Sequence, residues 1–261
     1  MAVSPYEWNE SIRQRSEYID ERLKEGSPVI GLSYDEGILL LCLRGTQRKI
    51  FEVYDRLMFS AVGNQADIET IRTGAIDVAH REGFTRSPED VSIQRIVGFA
   101  ISPSIKKVYS DAFAAPIVIR ALFAELGKTR DRDQYFVVGY DGEFSSSSTV
   151  AVVAGNIEAE EKALAYLTEQ TASGAPNLSS ALSIAVRAWG IGRHQIEKPD
   201  ESDEAQDGKP APPDIAAFIA DHLKAGVWQV EAAILERNTP RESKFRLLRE
   251  DELTETLAAY R

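Results

Sequence analysis

The chain has 261 residues, 43% of them hydrophobic and 27% charged, a soluble globular composition and a length sufficient for one large domain with a buried core. Its 41 acidic against 30 basic side chains give a formal net charge of -11, which argues against nucleic acid and anionic membrane as partners. No apolar run approaches bilayer-spanning length, and Met1-Ala-Val-Ser-Pro-Tyr-Glu-Trp8 has neither the basic nor the apolar part of a signal peptide.

In chain order, residues 6–24 read as a helix, with Ile12, Ile19 and Leu23 at helical spacing and Trp8 extending the stripe. Glu25-Gly-Ser-Pro28 ends it. Two short strands follow at 29–34 and 38–43, joined by Asp35-Glu-Gly37, whose glycine suits a tight hairpin turn. A second hairpin is expected from 49–54 and 57–62, turning at Asp55-Arg56. Helices come next. One spans 65–80, with Ile68, Ile71, Ala75 and Val78 on a face. Another opens at Ser87-Pro-Glu-Asp90, a capping serine followed by proline and carboxylates that favour a helix start, and runs to about 108.

Strands are then expected at 117–126, 135–140 and 148–154, the last beyond an Asp141-Gly142 turn. Helices resume at 157–169 and 178–189; behind an Asn177 cap, the second carries the stripe Leu182, Ala185, Val186 and Trp189. Residues 198–213 are acidic and punctuated by proline, a composition expected of a flexible loop. A short helix at 214–224, strands at 228–235 and 245–248 and a helix at 251–260 close the chain.

Strands, two long helices, strands, two helices, then strands again suggest two sheets face to face with helix layers outside, an α+β, αββα sandwich in one domain. There is no glycine-rich phosphate loop of the Gly-x-Gly-x-x-Gly or Walker type. The lone cysteine, Cys42, sits in an apolar run and reads as a small core residue, consistent with a cytoplasmic location. His80, His194 and His222 are scattered, so neither a metal nor another cofactor is expected.

The segment from Gly26-Ser-Pro-Val-Ile-Gly to Asp35-Glu-Gly-Ile-Leu-Leu-Leu41 resembles the opening hairpin of proteasome subunits. Lys49-Ile-Phe-Glu-Val-Tyr-Asp-Arg56 through Gly63 is similar to the family's next hairpin, and Val230-Glu-Ala-Ala-Ile-Leu-Glu-Arg237 to a late strand of actinobacterial-type α subunits. The resemblance implies a four-layer αββα sandwich of the N-terminal nucleophile hydrolase type, in its non-catalytic α-type version with an extra N-terminal helix at 6–25. A catalytic β subunit begins at a threonine, with an aspartate in the second strand and a lysine opening the third. The matching positions here are Ser27, Leu43 and Lys49, and Leu43 has no proton to handle. No catalytic residue is therefore assigned. The alternative is a divergent hydrolase that cleaves before Ser27 and uses it as nucleophile.

By the same resemblance, Lys49, Gly26 and Gly63 line a pocket between neighbouring subunits that receives the C-terminal carboxylate of a hexameric ATPase activator. Asn64 departs from the leucine of archaeal relatives. The tail Met1, Ala2, Val3, Ser4 and Pro5 is implied to gate an axial pore. The implied partners are further copies of this chain in a seven-membered ring and a ring of β subunits. Ser145-Ser-Ser-Ser148 reads as a turn or strand entry, and Tyr54-Asp55-Arg56 as a hairpin turn with a structural ion pair.

Overall fold

The computed structural model describes residues 5–199, 214–224, 226 and 228–260. Residues 1–4 of the implied gating tail, and 200–213 of the acidic segment, lie outside the described residues. Helix α1 spans Pro5–Leu23, so the proline expected to end the tail begins the helix instead. Proline suits a first helical position, where no N–H partner is needed.

Among the described residues, ten strands form two antiparallel sheets. The first has the order β10-β9-β2-β1-β8, from β1 (Val29–Tyr34), β2 (Gly37–Arg44), β8 (Val150–Val153), β9 (Gln229–Glu236) and β10 (Phe245–Leu247). The second has the order β3-β4-β5-β6-β7, from β3 (Ile50–Tyr54), β4 (Leu57–Gly63), β5 (Ile119–Glu125), β6 (Gln134–Val138) and β7 (Phe144–Ser147). β2 is apolar on both faces because both are covered. Ile38, Leu40 and Cys42 join Met58, Leu122 and Tyr135 of the other sheet in one cluster, with Ile19 and Leu23 of α1. Leu39, Leu41 and Leu43 point the opposite way, onto the helices α5 (Ile157–Thr171), α6 (Leu178–Glu197) and α7 (Ile215–Lys224). The second sheet's outer face, with Leu57, Phe59, Ala121 and Phe123, packs on α2 (Gln65–Thr85), α3 (Ile93–Ile96) and α4 (Ser102–Ser110). Helix α8 (Glu250–Leu257) closes the chain, followed by a short 3-10 turn.

Both hairpins form where the sequence puts them, but Gly37 serves a different end. Its φ is not positive; a Cβ there would collide with the Leu235 carbonyl of β9, so the glycine admits a neighbouring strand. The continuous helix expected over 87–108 is instead broken. Ser87 caps only a 3-10 turn, Pro88–Asp90, and Val91 then turns extended. A π-helical turn, Val97–Ile101, precedes α4 and its Pro103. Proline has no N–H for the Phe99 carbonyl and crowds it, so regular α-helix cannot run through. Helix α6 runs past the expected end at 189 because Gly190 and Gly192 do not stop it. A Cβ at Gly190 would strike Ile219 of α7, and one at Gly192 would crowd the Pro28 ring, so both glycines allow close packing. Part of the serine run is β7, an edge strand exposed along its length.

Candidate functional site

Three residues singled out from the sequence, Gly26, Lys49 and Gly63, line one cavity of about 370 Å³, together with Ser27, Arg44, Arg48 and Trp228. They come from three places: the turn after α1, the last residue before β3 and the end of β4. Chain packing alone brings them together.

Each glycine has its own steric reason. Gly63 has φ 142°, in the region closed to most side chains, and a Cβ would strike the Val118 carbonyl. A Cβ on Gly26 would strike the Val62 side chain, while its N–H closes the turn onto Leu23 O at 2.7 Å. Asn64, the departure beside Gly63, caps α2: its Oδ1 accepts from the Ala66 N–H at 2.9 Å.

Lys49 is half-buried, and its Nζ donates to the Ser27 carbonyl at 3.2 Å. Among the described residues no other hydrogen bond holds the ammonium, which leaves donors for a ligand. Burial lowers the pKa of this lysine from its ordinary value; the Arg193 charge adds to this, and Cys42 and Glu231 oppose it. Behind the lysine, burial pushes the Cys42 thiol up to about 12, so it is an inert core group.

Ser27 is only 5% exposed and its hydroxyl is fully engaged. It donates to the Leu43 carbonyl at 3.1 Å and accepts from the Trp189 indole N–H at 3.0 Å. Lys49 meets the carbonyl of Ser27 and leaves the hydroxyl alone, and Leu43 is buried among aliphatic side chains. A nucleophile needs a base on its proton, and here that proton lies on a peptide oxygen. The arrangement is suited to holding an anion and unsuited to acyl transfer.

Sequence reasoning passed over Glu231. It is 6% exposed, on β9, and its carboxylate accepts from the Lys49 N–H at 3.0 Å and the Ile50 N–H at 3.3 Å. Arg44 Nε lies 3.1 Å from the same carboxylate. The available signal was a charged residue inside the apolar strand Val230-Glu-Ala-Ala-Ile-Leu235. A larger cavity of about 640 Å³ adjoins the first across Arg44 and Trp228, but its walls are mainly aliphatic and aromatic. The cationic side chains Arg44, Arg48 and Lys49 converge on the smaller cavity.

The Tyr54-Asp55-Arg56 turn carries a structural ion pair, Arg56 to Glu125 at 2.5 Å. Among the described residues no group of His, Cys, Asp and Glu is placed to hold a metal ion, and no helix is long and apolar enough to cross a membrane.

No protein-family profile matches the chain. Curated relatives do. A protein of Frankia casuarinae named proteasome subunit alpha is 30% identical over 185 residues, 70% of this chain and 75% of the relative. One of Actinosynnema mirum with the same name is 29% identical over 238 residues, 90% of this chain and 80% of the relative. A third, from Acidothermus cellulolyticus, is 28% identical over 209 residues, covering 78% and 86%.

Proposed function

The chain belongs to the proteasome α-subunit family, and from that premise we propose that it is a non-catalytic ring subunit of a protein-degrading particle. In this reading the whole chain is one domain of the N-terminal nucleophile hydrolase type, layered αββα, with α1 as an addition to the catalytic plan. Seven copies form a ring that supports a β ring, where the peptide bonds are cut. The tail ahead of α1, residues 1–4, gates the pore of a cytoplasmic particle. The cavity around Lys49 docks the C-terminal carboxylate of a hexameric ATPase activator.

One observation carries the docking role: Gly26, Lys49 and Gly63 share a cavity in which the ammonium has donors to spare. A carboxylate at a chain end is a compact anion that a lysine can meet from several directions, and partial burial strengthens the pair. The engaged hydroxyl of Ser27 supports the non-catalytic role.

The test is to co-express the chain with a β subunit, then measure native mass, peptidase activity and the N-terminus of each chain. A ring-stacked, active particle in which this chain keeps residues 1–26 is the expected result. A chain that begins at Ser27 and cleaves peptides by itself would overturn the reading.

A further inference from the structure

The connection between β2 and β3, residues 45–49, has no helix or strand of its own, yet it forms much of the wall of the Lys49 cavity. What shapes it is one ion pair. The Arg44 guanidinium donates through Nη1 to the carbonyls of Gly45 and Thr46, at 3.0 and 3.2 Å. Its Nε lies 3.1 Å from Glu231 as an ion pair without a hydrogen bond, and the two oxygens of Glu231 take the N–H groups of Lys49 and Ile50. The pair therefore grips both ends of the connection, carbonyls at one and amides at the other.

We propose that Glu231 is the positioning residue of the anion cavity: held on β9, it fixes the backbone of Lys49 so that the ammonium is aimed at an incoming carboxylate. This rests on the docking role proposed above for Lys49. A rigid β-strand is a suitable base for such a clamp, because an anchor on the neighbouring strand cannot drift with the loop it holds. Glu231 acts on the charge as well as the geometry. It offsets Arg44 locally, and its field favours the protonated form of Lys49 against the burial that disfavours it. Removing the carboxylate loosens the wall and also lets the lysine lose its proton at lower pH.

The test uses the assembled particle and a fluorescein-labelled peptide, Gly-Ser-Gly-Ala-Leu, with either a free C-terminal carboxylate or an amide, read by anisotropy across pH. The wild type prefers the acid form, and Lys49→Met erases the preference. Glu231→Gln weakens acid-form binding about tenfold more than amide binding and moves the alkaline loss of binding to lower pH. The proposal is overturned if Glu231→Gln keeps the wild-type preference and pH profile, or weakens both peptides alike as a merely structural lesion would. If that variant does not assemble, Glu231→Asp, too short to span both amides, takes its place, and the same two results would overturn the proposal. A wild type without preference, or a Lys49→Met particle that retains it, removes the docking role and the positioning role together.

Discussion

The β3–β4 hairpin is held by a buried glutamate at each end, and the two ends differ. At the turn, Glu125 takes Arg56 at 2.5 Å and the Ile93 N–H at 2.7 Å, while Arg56 also donates to the carbonyls of Glu89 and Val91. At the start, Glu231 accepts from two backbone amides and pairs with Arg44 by charge alone, without a hydrogen bond from Nε, and Lys49 beside it has one bond and an open cavity. The first clamp is closed on itself and can only stabilise. The second orders the backbone and leaves a cation available. A buried ion pair beside a cation whose donors the fold does not consume leaves that cation open to a further partner.

The largest effect should come from opening the closed clamp. Arg56→Ala leaves Glu125 buried without its cation and is expected to cost about 3 kcal/mol of folding stability, measured by denaturant unfolding. It should leave the acid-to-amide preference of the Lys49 cavity untouched; a lost preference would mean that the two ends of the hairpin are not independent.

A third clamp tests the intermediate case. Glu160 accepts from Arg120 at 2.6 Å and the Ala154 N–H at 2.9 Å, and lines an open groove of about 520 Å³. Burial raises its pKa from 4.5 to about 7, against the pull of Arg120 and the amide. A carboxyl with a raised folded value favours folding when protonated, an advantage complete below about 4.5 and lost as pH passes about 7. Across that window the wild type should lose up to about 3 kcal/mol relative to Glu160→Gln, read as the difference between their unfolding free energies. A constant difference would show that Arg120 and the amide hold this carboxylate ionised throughout.

Asn64→Ala removes the cap of α2 at the cavity rim and should cost about 1 kcal/mol by the same measurement, with peptide preference retained. The smallest change in stability is expected at the open clamp itself. Lys49→Met keeps the stem's packing and should shift stability by less than about 1 kcal/mol, although carboxylate preference disappears. In the wild type that preference should fade on the alkaline side before an exposed lysine would titrate, because burial holds Lys49 below its usual 10.5. A large loss of stability in Lys49→Met would make the lysine a structural residue and erase the contrast.

The two hairpins were legible because their cues are local: short apolar runs and the polar turns at Asp35 and Asp55 between them. Lys49, Gly26 and Gly63 were found through resemblance to a family, and no spacing in the sequence relates them. The helix expected over 87–108 failed on a local cue that was present, Pro103, whose effect depends on whether a π-helical turn can absorb it. Glu231 escaped notice because its partners lie 181 and 182 residues away along the chain.

Periodicity, capping and side-chain chemistry act within a few residues, so the apolar strands, the helix cap at Asn177 and the lack of a carboxylate at Leu43 were readable along the chain. Tertiary structure decided which charges are spent and which are left. Arg56 is consumed and Lys49 is not, and that depends on how many buried acceptors strands and helices from distant parts of the chain bring within about 3 Å of each cation.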